Sequence, residues 1–357
     1  MNIVEATASY EKALGKQIKL IPDDLKKKHK SMAGDSFSFL RATFYRWAQV
    51  LPTVAPELLK APKVLAVGDL HIENFGTWRD IEGRLVWGVN DFDEAYVLPY
   101  TNDLVRLVTS ARLAISTGQC KVDSDEAAKA ILEGYGASLV QGGKPFVLAE
   151  NNVWLREMTT GILRDPVTYW AKLESAAAVK TVPASARRAM EQMMPAKGLP
   201  YRVVRRVAGL GSLGRERYLA LADFHGSLVA REAKPLVASS VGWALGVKSR
   251  LLASQKILDT AVRCPDPYVR LKGRWIVRRL SPYCSRIELN SLAKSSDERQ
   301  LLFAMGWETA NIHLGTKKAA SEILKDLKKR SAGWLGSAAT AMEKSVLADW
   351  KQWRERK

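Results

Sequence analysis

The chain has 357 residues, 47% hydrophobic and 26% charged, enough to bury a sizeable core in one large domain or two lobes and to exclude disorder over most of its length. Lys and Arg total 55 against 37 Asp and Glu, a formal net charge of +18, which draws anions towards any cleft without choosing among nucleotides, phosphorylated metabolites, nucleic acid and acidic protein tails. Cys120, Cys264 and Cys284 form no CxxC pair, so neither a disulfide framework nor a zinc knuckle is indicated.

Residues 1–13 carry Glu5 and Glu11 among short apolar runs, unlike a secretory signal. The longest mildly apolar stretch, 236–247, contains Ser239, Ser240 and two glycines and falls short of the roughly 20 residues of a bilayer span. A cytoplasmic protein without membrane insertion is expected.

Residues 1–30 read as a weak helix, a break at Pro22, and the run Lys26, Lys27, Lys28, His29 and Lys30, taken as a solvated face. Apolar and aromatic positions over 37–59 recur near helical spacing until Pro52 interrupts them. Residues 62–67 predict a buried strand opening into Gly68-Asp69. A second strand, 83–89, follows a charged turn at Arg79, Asp80 and Glu82 and runs into Asn90-Asp91-Phe92-Asp93. Two clusters of acids therefore fall at strand ends. From Asn102 the pattern is helical, with Leu104, Leu107, Val108 and Ala111 on one side, and helices continue over 127–139, 166–176 and 185–193 between Gly and Pro breaks.

After Pro200 the texture changes to strands over 201–208 and 217–224, a turn at His225-Gly226 and a returning strand over 227–234. A helix is expected over much of 241–262, strands near 274–280 and 285–289, and closing helices over 298–313, 319–329 and 342–353. Trp47, Trp78, Trp170 and Trp275 read as core. No zinc finger, RNP aromatic pattern or basic zipper is visible, which places nucleic acid behind other partners.

The string Gly68-Asp69-Leu70-His71-Ile72-Glu73-Asn74-Phe75-Gly76 carries the chemistry. Asp69 is able to orient or deprotonate a hydroxyl, and Asn74 offers a magnesium ion a neutral oxygen. Asp91 can complete the protein's share of the shell, because magnesium keeps much of its octahedron for phosphate and water. A single acid of this kind is as readily a turn cap; the combination with Asn-Asp-Phe-Asp favours chemistry. Asp93 is an auxiliary metal ligand in this reading, and Glu94 either a second ligand or a solvent-facing neighbour.

Through residues 32–41, 68–76, 90–94, 103–107 and 209–214, the chain resembles the uncharacterised family called domain of unknown function 2252. More distantly it is similar to aminoglycoside phosphotransferases and choline kinases, whose catalytic loop reads Gly-Asp-Leu-His-x-x-Asn ahead of an Asp-Phe or Asp-Trp metal motif. That resemblance implies that Asp69 is the catalytic aspartate, Asn74 and Asp91 the metal ligands, and Asp103 a buried structural aspartate opening the next helix.

Gly209-Leu210-Gly211-Ser212-Leu213-Gly214 is a weak signal alone. A dinucleotide fold needs a helix to begin there, whereas the following residues read as strand, turn and strand. A phosphate-approaching hairpin is the better fit, with Gly209, Gly211, Ser212 and Gly214 as nucleotide contacts. Lys234 ends the returning strand, where a point charge would neutralise phosphates, and Glu232 shares its face. Kinases hold such a lysine with a glutamate from the next helix. Here that region offers Arg250, Gln255 and Lys256, so the clamp is altered or supplied elsewhere. Residues 275–282 fall where a hinge would touch adenine, and Arg278 and Arg279 alternate faces, so at most one reaches the cleft. Arg41 competes with Arg106 and Arg112 for a phosphate or substrate role.

The glycine string and lysine follow the acid motif instead of preceding it, and Thr309-Ala310-Asn311-Ile312-His313 resembles the end of the helix that directly precedes the catalytic loop in aminoglycoside kinases. The expectation is an α+β, protein-kinase-like two-lobed fold, circularly permuted, with a mainly helical large lobe. Residues 1–199 and 291–357 would build that lobe, and 200–290 the small nucleotide lobe. The expected activity is ATP- and magnesium-dependent phosphoryl transfer to a small-molecule or protein hydroxyl. The alternatives are nucleotidyl transfer on the same scaffold, or a non-catalytic nucleotide binder that holds an acidic partner.

Overall fold

In the computed structural model, which describes residues 1–160, 165–247, 253–284 and 295–356, helices and open antiparallel sheets form an α+β fold. Helix α1 (Ile3–Gly15) starts from a capping box between Asn2 and Glu5, which satisfies two amides that the first turn leaves orphaned. Helix α2 (Pro22–Gly34) begins on proline, α3 (Ser36–Ala42) is capped by Asp35, and α4 (Phe44–Val54) follows directly. Pro52 does not interrupt α4 as the sequence suggested: it lies in the last turn, so the chain breaks afterwards, at Ala55 and the short 3-10 turn Pro56–Lys60.

Strand β1 (Lys63–Ala66) pairs with β4 (Tyr96–Pro99), and β2 (Phe75–Arg79) pairs with β3 (Leu85–Val89), which also meets β5 (Phe146–Val147). Strands β2, β4 and β5 lie outside those expected from sequence. The charged residues before β3 form the β2–β3 turn, where the Asp80 carboxylate accepts from the amides of Glu82 and Arg84. Helix α5 (Tyr100–Ser116) is buried along nearly its whole length, and α6 (Ser124–Gln141) runs from an Asp123 cap to Gly142 at φ 77°. Helices α7 (Val153–Thr160), α8 (Pro166–Glu174) and α9 (Ala184–Glu191) follow.

Five antiparallel strands then form one sheet in the order β6-β7-β8-β10-β9: β6 (Arg202–Arg205), β7 (Tyr218–Phe224), β8 (Ser227–Pro235), β9 (Arg270–Lys272) and β10 (Trp275–Leu280). Between β8 and β9, the described residues hold α10 (Ser240–Ala244) and α11 (Ala253–Thr260) in place of one helix over 241–262; α10 gives way at Gly246, φ 68°. The strand expected over 285–289 lies outside the described residues. Helices α12 (Ser295–His313), α13 (Ala319–Leu327) and α14 (Trp334–Arg354) close the chain. No helix of the described residues is long and apolar enough to cross a membrane.

One large hydrophobic cluster joins α3–α6 with α12–α14, and takes in Val241, Ala253 and Ile257. Smaller clusters line the two faces of the five-stranded sheet, one with Ala186 and Met190 of α9, the other with Trp170 and Leu173 of α8. In the large cluster α6 and α12 approach through reciprocal glycines. A Cβ on Gly134 would lie 1.9 Å from the Phe303 carbonyl oxygen, and one on Gly306 would lie 2.0 Å from that of Ile131. Alanine favours a helix over glycine by about 1 kcal/mol. The obstacle here is helix backbone, which cannot rotate aside, and forced overpacking costs about 1–3 kcal/mol or more. Gly306→Ala is therefore expected to lower the free energy of unfolding measured in denaturant, against the helix-propensity trend.

Candidate functional site

The hairpin register builds the centre of the site. Phe75 pairs with Val89, so the residue preceding β2 and those following β3 meet at one end, and the Asn90 amide donates to the Asn74 carbonyl at 3.1 Å. Asn74 closes a 3-10 turn, and its Nδ2 donates to the backbone carbonyls of Asp69 at 3.0 Å and Asp91 at 3.2 Å. That fixes which way the amide faces: Oδ1 is left buried with no hydrogen-bond partner. A buried polar atom without a protein partner calls for an explanation, and a hard cation is one ligand that suits this oxygen.

The turn before Asp69 depends on Gly68, at φ 80°, where a Cβ would stand 2.3 Å from the Glu94 carbonyl oxygen. The Asp103 carboxylate anchors that turn by accepting from the amides of Val67 at 2.7 Å and Gly68 at 3.0 Å. His313 Nε2 lies 3.1 Å from the same carboxylate, and its Nδ1 lies 2.8 Å from the Tyr135 hydroxyl. Asp103 thus has the structural position its motif implied, and the end of α12 is brought to the base of the acid loop.

Asp69 accepts from Arg106 Nε at 3.0 Å and also pairs with Arg106 Nη2. Burial raises its carboxyl pKa and neighbouring Asp91 adds to this, while Arg106 works against the rise. Arg106 is wholly buried between the rings of Phe44 and Trp47 and also donates to the Leu40 carbonyl. Of the three arginines weighed from sequence, this one touches Asp69. Arg41 pairs with Glu73 at 2.7 Å, and Arg112 with Glu343 at 2.6 Å.

Across from this loop, Lys234 Nζ lies 2.6 Å from Asp93 and 3.3 Å from Asp91. Burial acts to raise the Asp91 pKa, but Lys234, Arg278 and the Asp93 amide outweigh it and hold the carboxyl well below the usual carboxylate range. Asp91 is therefore ionised at neutral pH. Glu94 belongs to the scaffold: its carboxylate accepts from the Ser240 amide at 2.7 Å and from the hydroxyls of Ser239 and Ser240, and Arg215 stands 3.5 Å away. No glutamate of the described part of α10–α11 holds Lys234, and Arg250 lies outside the described residues. The two loop aspartates take that place.

Glu232, two residues before Lys234 and fully buried, collects three guanidinium groups. Arg206 reaches it at 2.6 Å, Arg217 at 3.2 Å and Arg278, its cross-strand partner on β10, at 2.7 Å. Burial would raise the Glu232 pKa, yet the three cations hold it well below the usual range. Arg279 packs on the Tyr268 ring and donates to the Arg79 carbonyl, yet it lines the cavity as Arg278 does, so both arginines border the cleft and not one at most as the strand alternation suggested.

The glycine string sits in the β6–β7 connection against the acid loop. A Cβ on Gly211 would meet the Arg41 carbonyl at 3.0 Å and Asp69 Oδ2 at 3.5 Å. Leu210–Ser212 form a 3-10 turn, and the amides of Leu210 and Gly211 donate to nothing among the described residues. Ser212 Oγ accepts from Arg217 at 2.6 Å. Gly214, at φ 93°, packs against Leu25 of α2 and does not line the cavity. A cavity of about 980 Å³ joins these parts, lined by Asp69, Asn74, Asp91, Asp93, Gly211 and Lys234 among others. Such a volume is at the upper end for small-molecule sites.

The lysine run overturns one expectation. Lys26 and Lys27 are exposed, but Lys28 is only 3% exposed and faces the cavity. Lys28, Arg206, Arg215 and Arg217 are site residues that sequence reasoning did not single out. The basic residues flanking the glycine string were the available signal for three of them. Among the described residues no group of three or more His, Cys, Asp or Glu side chains is arranged to hold a metal ion; the Asn74, Asp91 and Asp93 set includes an amide.

The chain belongs to the family described as uncharacterized protein conserved in bacteria, DUF2252, whose model matches residues 20–196 and 201–356. No curated protein and no solved structure gives a significant match.

Proposed function

We propose that the protein is an ATP- and magnesium-dependent phosphotransferase acting on a hydroxyl-bearing acceptor. The observation that carries this reading is the partnerless buried Oδ1 of Asn74, whose amide is tied to the Asp91 backbone, in a residue that lines one cavity with Asp91 and Lys234. Asn74 and Asp91, with Asp93 in support, are the residues that would hold magnesium. When bound, the ion would offset charge on the phosphate oxygens.

The chain's own groups would do the rest. Lys234 would exchange its Asp91 and Asp93 contacts for phosphate oxygens. The three arginines gathered on Glu232 leave a net positive charge that suits a polyphosphate, and the amides of Leu210 and Gly211 add donors at Gly209–Ser212. Asp69, held by Arg106, would orient the acceptor hydroxyl, and its raised pKa brings it nearer the range useful for accepting a proton. His71 packs edge-on to Phe37 and supports the loop.

The same reading treats the five-stranded sheet and its glycine loop, residues 200–290, as a small nucleotide lobe, with the segments before and after it forming a helical lobe. The order of motifs is then that of a circularly permuted kinase. The contact of His313 with Asp103 supports this, since it joins a late helix end to the catalytic loop, and contacts rather than chain order define a folded core. The missing helix glutamate on Lys234 favours a second reading, a nucleotide binder without turnover.

Incubation of the purified protein with ATP, magnesium and a broad pool of hydroxyl acceptors tests the proposal. The expected result is magnesium-dependent release of ADP. Pyrophosphate would move the reaction to nucleotidyl transfer, and tight nucleotide binding without either product would favour the non-catalytic reading.

A further inference from the structure

We infer that Lys28 and Arg215 form an acceptor subsite for a small hydroxylated anion, placing its carboxylate or phosphate group against the buried ammonium and its hydroxyl towards Asp69. The inference deepens the phosphotransferase reading and rests on it for the acceptor's role, though not for the anion site itself.

Lys28 projects from α2 into the cavity and makes no hydrogen bond or ion pair among the described residues; its contact is with the Tyr45 ring, 5.7 Å from the centroid. An ammonium buried without a counterion is destabilising unless something pairs with it. Burial accordingly lowers its pKa to about 8, against a smaller upward pull from Glu11. Glu11 is already engaged by His29 at 2.7 Å. Arg215, Glu94 and Asp69 also act on the ammonium through space, and Lys28 lines one cavity with all three.

The surroundings suit an incoming anion. Arg215 is 8% exposed, and its Nε has no hydrogen-bond partner; Nη1 and Nη2 stand 3.6 Å and 3.5 Å from Asp93 and Glu94, loose separations for a guanidinium. The Tyr10 and Tyr45 rings, stacked at 4.4 Å, wall this end. The glycine loop ties the two cations together: Leu20 bridges Arg215, and the Ile21 amide donates to the Gly214 carbonyl at 2.8 Å just before α2 begins. The depth of Lys28 selects a small molecule over a protein segment, and the cavity is large enough to hold it beside a nucleotide.

Calorimetric binding of inorganic phosphate and of acetate, each with the nucleotide site saturated by magnesium and a non-hydrolysable ATP analogue, tests the subsite. Wild type is expected to bind at least one of the two, and the preferred probe identifies the anionic group. Lys28→Met should weaken that binding about tenfold or more, Lys28→Arg should retain most of it, and neither should change analogue affinity. A melting curve checks that Lys28→Met folds; if it does not, the Lys28→Arg and Arg215→Lys pair carries the comparison. Binding of neither probe, or equal binding by Lys28→Met, overturns the subsite, as does loss of analogue binding on that substitution. Failure of the phosphotransferase reading shows separately, as analogue binding that does not respond to magnesium.

Discussion

Asp91→Asn is expected to weaken magnesium-dependent nucleotide binding by at least about 10- to 100-fold, whereas Asp69→Asn should leave that binding largely intact and lower turnover by about 10²–10⁴. The two changes are matched in shape and differ in what they remove. Asp91 is held ionised by Lys234 and Arg278, and it presents a partly exposed carboxylate to the cavity. Asparagine there takes away the charge that a divalent ion needs, while Lys234 keeps Asp93 at 2.6 Å, so the fold should survive. Asp69 instead faces Arg106, which is fully buried. The amide introduced by Asp69→Asn would still offer an oxygen to the guanidinium, but the buried charge would lose its counterion, so this variant should also melt earlier. Calorimetry with and without chelator reads the first effect. ADP release with an acceptor, or the slower release with water in its place, reads the second at a temperature where both variants are folded. Wild-type behaviour in both would remove the roles assigned to them.

The acid loop was legible because its information is local. Gly68-Asp69 and Asn90-Asp91 each terminate a short apolar run, and pairing of the two runs' neighbours is enough to bring Asn74 and Asp91 together. Lys234 and the glycine string were legible from the strand, turn and strand that follow one another over Tyr218–Pro235. What escaped depends on register and packing between segments far apart. Glu94 looked like a possible ligand until Ser239 and Ser240, some 145 residues later, proved to hold its carboxylate. Arg206 and Arg278 meet on Glu232 only because β6, β7, β8 and β10 pair in one register. Lys28 sits in a run whose composition says solvated face, and helix rotation alone decides that this lysine turns inward while Lys27 does not. Strands β4 and β9 are short, and among the described residues β9 pairs only with β10; segments so brief carry little periodic signal.

Glu232→Ala is expected to lower stability by about 3–5 kcal/mol, because removing one member of a buried ionic cluster leaves the others uncompensated. Three guanidinium groups converge on this carboxylate, and Arg217, 5% exposed in its side chain, is the one least able to find water instead. The cluster's pH response has a definite sign. The folded-state pKa of Glu232 is depressed below the ordinary value of 4.5, so its contribution is fully present above that pH and is lost only as pH falls through the depressed value. Glu232→Gln, which keeps the shape and one acceptor, separates charge from packing and should fall between wild type and Glu232→Ala. The functional consequence follows from linkage: a ligand that binds only the folded state stabilises it in proportion to its affinity. If the three arginines serve a polyphosphate, tripolyphosphate should raise the melting temperature of Glu232→Gln more than that of wild type, since the anion then supplies the charge that the carboxylate supplied. An equal shift in the two proteins would make the cluster a structural knot and leave Lys234 and the glycine-loop amides to hold the phosphates alone.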